Sequence, residues 1–80
     1  MGKCIIMREI PQQERPCYME TDDYTLSFVV KPWEAKIFKT RRRAKDYVKV
    51  LRGLDSKEAV HTVISADHVH GALAAKKFGF

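Results

Sequence analysis

Apolar and polar positions alternate most regularly between Tyr24 and Lys31, where Tyr24, Leu26, Phe28 and Val30 share one side and Thr25, Ser27, Val29 and Lys31 the other. A period of two predicts a strand buried on one face. Earlier in the chain, Cys4-Ile5-Ile6-Met7 forms a short apolar run bounded by charge and then by Pro11, so Lys3 to Glu9 reads as a first strand covered on both faces. Between these two strands, residues 11–23 hold two prolines, two glutamines and most of the acid of the first third, the composition of a long irregular loop. After Lys31 the pair Pro32-Trp33 interrupts the pattern and Glu34 to Lys39 resumes it. The expectation is an antiparallel hairpin whose turn includes Trp33.

The period then changes. Ala44, Tyr47, Val48 and Leu51 fall at i, i+3, i+4 and i+7, the spacing of one helical face. Thr40 precedes them as N-cap and Gly53 follows as a stop, which predicts a helix over 41–52. Val60 to Ser65 fits a helical face as well as a strand; its β-branched Val60, Thr62, Val63 and Ile64 favour the strand. Ser65 or Asp67 then caps a last helix through Val69, Ala72, Leu73 and Lys77, closing at Gly79. The expected fold class is α+β: one domain over residues 1–80, with a three- or four-stranded, mainly antiparallel sheet and two helices packed on it, in the order β-β-β-α-β-α. The acidic loop at about 11–23 interrupts it.

Eighty residues sustain one core and no more. With 45% hydrophobic and 31% charged residues the chain lies well away from the composition of disordered proteins. No apolar run approaches the roughly 20 residues of a membrane span. Arg8 and Glu9 arrive too early for a signal peptide, and Gly2 lacks the Ser or Thr that myristoylation requires. A cytoplasmic location is expected, with Cys4 and Cys17 as free thiols.

Charge changes the picture more. The net charge is +5, but residues 1–23 carry three basic and five acidic groups, whereas residues 24–57 carry ten Lys or Arg against Glu34, Asp46 and Asp55. Lys39, Arg41, Arg42, Arg43 and Lys45 crowd the start of the predicted helix, where the macrodipole makes each cation unfavourable by about 0.3–1 kcal/mol. At helical spacing Arg41, Lys45, Lys49 and Arg52 line one flank as a basic stripe. An anionic partner would offset that cost; the alternative is a solvated face with Arg42 and Asp46 paired at i, i+4.

The candidate partner-binding residues are therefore Arg41, Arg42, Arg43, Lys45, Lys49 and Arg52, with Lys36, Lys39 and Trp33 beside them. Trp33, next to Pro32 at a predicted turn, is either an exposed aromatic anchor or a lid on the core. His61, His68 and His70 raise the question of metal. Two histidines separated by one residue point about 200° apart on a helix, and no Cys-x-x-Cys or His-x-x-x-His spacing assists, so no metal site is expected. Gly-rich phosphate loops, nucleophile elbows and spaced carboxylate pairs are missing too, which points away from an enzyme and from cofactors. Cys17, next to Arg15 and Pro16 in the expected loop, is at most a reactive thiol.

In its shortness, its hairpin, its basic helix and its want of catalytic signatures, the whole chain resembles the small accessory proteins of phages and mobile elements, among them the anti-CRISPR inhibitors. That resemblance implies a stoichiometric inhibitor in the cytoplasm of a bacterial host, binding a CRISPR effector surface and blocking its target nucleic acid. A basic middle departs from the acidic, DNA-mimicking members of that group. The leading expectation is thus a protein-binding inhibitor using the basic stripe with Trp33; the alternative is a small nucleic-acid-binding protein using the same helix. Either works as a monomer or homodimer, without a membrane.

Overall fold

The computed structural model describes residues 2–66, in which a four-stranded antiparallel sheet carries one α-helix against one of its faces. Strand β1 (Cys4–Glu9) forms where the apolar run predicts it. It is central, between β2 (Cys17–Met19) and β4 (Val60–Ser65), with β3 (Phe28–Val29) beyond β2. Successive residues Ile5 and Ile6 point to opposite faces and are 1% and 0% exposed, so both faces are covered at this strand. Strand β4 pairs with β1 along its whole length, from Cys4 opposite Ser65 to Glu9 opposite Val60. Its β-branched residues therefore serve the sheet, as expected.

The second and third strands are not the segments that alternation predicts. Strand β2 lies inside the expected loop, and only two residues of the expected strand over 24–31 pair with it, Val29 opposite Tyr18 and Phe28 opposite Met19. Local turn chemistry outweighs the alternating pattern. Tyr24 adopts a left-handed φ of 67°, which no strand accommodates. The Asp23 carboxylate holds the turn by accepting from the Thr25 backbone N–H and hydroxyl, and the Tyr24 N–H donates to the Tyr47 hydroxyl at 3.1 Å. Consequently Tyr24, Leu26 and Val30 are exposed, and of the predicted face only Phe28 packs on the core.

The predicted hairpin between 24–31 and 34–39 is absent for a related reason. Pro32 opens a 3-10 turn over Pro32–Glu34, closed by the Ala35 N–H on the Pro32 carbonyl, and the chain is redirected across the sheet. Lys36 then donates to the Met19 carbonyl, while Phe38 and Cys4 exchange backbone bonds of 2.7 and 2.9 Å. This segment thus joins β2 and β1 rather than β3.

Helix α1 (Arg41–Leu54) begins where expected, with the Thr40 hydroxyl accepting from the Arg43 N–H. It does not stop at Gly53, which is helical and exposed. The C-cap is Asp55, whose N–H bonds the Leu51 carbonyl at 2.7 Å. Ala44, Tyr47, Val48 and Leu51 form the buried face, packed on Cys4, Ile6, Met19 and Phe38. A second cluster on the other side of the sheet joins Ile5, Ala35 and Ala66 with Tyr18 and Ile64. The expected last helix through Val69 and Lys77 lies outside the described residues. Among the described residues no helix is long and apolar enough to cross a membrane.

Candidate functional site

Strand alternation and helical periodicity together build one groove. On β4, Val63 faces α1 and Ile64 the opposite cluster, so His61, two residues before Val63, also faces the helix. On α1 the buried face ends at Val48, and the next positions round the helix are Arg41, Arg52, Lys45 and Lys49. These two sets line a cavity of about 360 Å³ with Val48, Val63 and Thr62. The stripe predicted from spacing is thereby one wall of a groove, running about 16 Å along the helix. All four cations are exposed, and among the described residues none of them forms an ion pair.

The opposite flank of α1 differs. Arg43 and Asp46 share a second cavity of about 250 Å³ with Asp22, Tyr24 and Tyr47, so charge there is mixed. Asp46 makes no ion pair with Arg42 among the described residues. The first turn carries three arginines and no acid, so the cost of cations at a helix start stands uncompensated within it.

At the helix end lies a buried constellation that composition and spacing do not reveal. Arg8 on β1 and His61 on β4 are directly opposed across the ladder. Asp55, the C-cap of α1, drops between them. Its carboxylate accepts from Arg8 Nε and, at 2.8 Å, from Arg8 Nη2, while His61 Nε2 lies 2.8 Å from Oδ2. The side chains of Arg8, Asp55 and His61 are 12%, 4% and 2% exposed. The Arg8 bonds hold the Asp55 carboxyl at about 2, below the usual carboxylate range, against the opposing effect of burial. Since that carboxylate is ionised, Nε2 of His61 must carry the proton it shares. The other ring nitrogen, Nδ1, is buried without a hydrogen-bond partner. Such an orphan costs about 1–3 kcal/mol. The Arg8 guanidinium also stacks on Phe28, 4.5 Å from the ring centroid, and donates weakly to Cys17 Sγ at 3.8 Å.

The remaining predicted site residues fall elsewhere. Trp33 is half-buried with Lys31 Nζ 5.9 Å from its ring centroid, and it borders a cavity with Arg15, Pro16, Tyr18 and Val30, toward the β3 side of the sheet. It does not share the groove, which borders β4 at the opposite edge. Lys36 pairs with Asp22 at 3.8 Å, and Lys39 is exposed ahead of the helix. Cys4 is buried and Cys17 half-buried, both as free thiols. No group of three or more metal-ligating side chains exists among the described residues, while His68 and His70 lie outside them.

Set beside protein-family models, curated proteins and solved structures, the chain matches none of them. Chemically, the groove offers unpaired cations along one wall and an apolar floor, with a buried, unpartnered ring nitrogen on a lining residue. It is suited to holding an anionic, elongated ligand.

Proposed function

We propose that this protein is a non-enzymatic binding protein that engages nucleic acid through its phosphate backbone, held along the α1–β4 groove by Arg41, Lys45, Lys49 and Arg52. One observation carries the reading: these four exposed cations border a single groove, and no carboxylate among the described residues pairs with them. Arg42, three residues before Lys45, adds charge on the outer side of the same wall. A backbone of phosphates matches such a row and releases counterions on binding. A protein partner centred on stripe and Trp33 together would need one surface to span both edges of the sheet, and the groove itself has no aromatic anchor of the kind that dominates protein interfaces. The geometry thus favours nucleic acid over the stoichiometric inhibitor expected from sequence.

Fluorescence anisotropy with labelled oligonucleotides across a salt series tests the reading. Wild-type protein is expected to bind at micromolar or tighter affinity, with a log–log salt slope of about −3 on single strands if four phosphates are contacted. Joint substitution of Arg41→Glu, Lys45→Glu and Lys49→Glu, all exposed, should abolish binding while the circular dichroism stays unchanged. No binding even at low salt would overturn the proposal and leave the stripe to an acidic protein surface, such as that of a CRISPR effector.

A further inference from the structure

The groove is more than a row of charges. Its cavity, about 360 Å³, stands at the lower end of the range for small-ligand sites, about 300–1,000 Å³, and is of the size of a single nucleotide. Val48 and Val63 give it an apolar floor, which suits the apolar face of a base and not a charged phosphate. His61 supplies the third element. Its ring is 2% exposed and tethered through Nε2 to Asp55, so it is fixed in place, and its unpartnered Nδ1 belongs to a residue lining the cavity. In the neutral imidazole with Nε2 donating to Asp55, Nδ1 is an acceptor and calls for a donor, which in a nucleotide means an amino or imino group of the base or a hydroxyl of the sugar and not a phosphate oxygen. Nδ1 itself is closed to solvent, so a ligand donor reaches it only when a lining side chain moves, and those of the α1 wall are long and exposed.

We infer that the groove seats one unpaired nucleotide of a single strand, with its phosphate on the α1 cations, its base over Val48 and Val63, and a donor of base or sugar on His61 Nδ1. This rests on the nucleic-acid reading above and narrows it. A duplex keeps its bases stacked and paired, so it offers the cavity only backbone. Charge alone would favour the duplex, which carries more phosphates per length. A preference for the single strand therefore reports the cavity and not the stripe.

The experiment follows the His61 imidazole nitrogens by 15N NMR on the full chain, with resonances assigned using His68→Gln and His70→Gln. The probes are a single-stranded decamer, its duplex, a nucleoside 5′-monophosphate and inorganic pyrophosphate. The single strand should shift His61 Nδ1 and bind tighter than the duplex at equal salt, one added hydrogen bond being worth about fivefold. Pyrophosphate should leave Nδ1 unmoved. Equal or tighter duplex binding with Nδ1 unmoved overturns the inference and leaves the phosphate reading standing. A monophosphate binding as tightly as the strand overturns the strand in favour of a free nucleotide. Failure of both strand and duplex to bind at low salt overturns the two readings together.

Discussion

Replacing Asp55 by Ala should be the most damaging single change to a polar side chain in this domain. The substitution removes both bonds to Arg8, the bond to His61, and the acceptor that takes the Ser56 N–H at 2.7 Å. What remains is an arginine with only 12% of its side chain exposed and no counter-charge beside it. Breaking a buried pair by deleting one partner costs about 3–5 kcal/mol, chiefly because the surviving charge stays buried. An 80-residue domain has roughly 4–12 kcal/mol of stability in total. With an unfolding entropy near 0.17 kcal/mol/K for this length, the melting temperature should fall by about 18–30 °C.

Thermal and urea unfolding followed by circular dichroism read this directly. A loss below about 1 kcal/mol would place Asp55 with exposed surface pairs and refute the assignment of a buried network. A companion variant with Arg8→Met, Asp55→Leu and His61→Leu together should recover much of the loss, since exchanging all three side chains for apolar groups leaves no buried charge unpaired. The acid limb gives a second check. Because the folded carboxyl is held at about 2, its contribution is present above the ordinary Asp value near 4 and lost as pH falls toward 2. That contribution is about 2 kcal/mol. Wild-type stability should decline across this window, and Asp55→Asn should not show that part of the decline.

Two further substitutions test the helix. Gly53→Ala should stabilise the protein by about 0.5–1 kcal/mol in urea unfolding, because Gly53 is helical and an added Cβ meets nothing within 4 Å; destabilisation would mean that Gly53 is a left-handed stop after all. Thr40→Ala should cost about 1 kcal/mol through the orphaned Arg43 N–H, and an unchanged urea midpoint would show that the cap contributes nothing.

The parts of the fold legible in the sequence were those whose pattern is enforced by burial. Ile5 and Ile6, covered on both sides, marked β1; Ala44, Tyr47, Val48 and Leu51 marked α1. The strand expected over 24–31 failed because its alternation was not a record of burial. Asp23 and Tyr24 make a turn whose hydrogen bonds cost the pattern its first half, and Pro32 diverts the chain before the second hairpin strand can form. Strand β2 was hidden by length: its three residues between prolines and acids carry too little periodicity to register. Of the candidate site, the stripe was legible because it needs only the helix. The opposing wall was not, since His61 reaches the groove only through the register of β4 on β1, a long-range property.

That register also explains why the groove keeps its charge. Among the described residues, Asp55 is the carboxylate carried by the helix C-cap itself, and it bonds the residue that lines the groove, His61. Without a competing partner it would be drawn toward Arg52, three residues before it at the end of the same helix. Arg8 prevents this by holding both carboxylate oxygens from the sheet side, in the strong two-pronged geometry that a lysine could not supply. Asp22 is likewise engaged with Lys36, and Asp23 with Thr25. These three aspartates are thus committed to fixing turns and the helix end, and among the described residues the cations of the α1 flank have no carboxylate partner. The same distribution of charge that holds the helix end thus leaves the groove positive, with the buried arginine on the central strand taking up the nearest carboxylate without lining the groove itself.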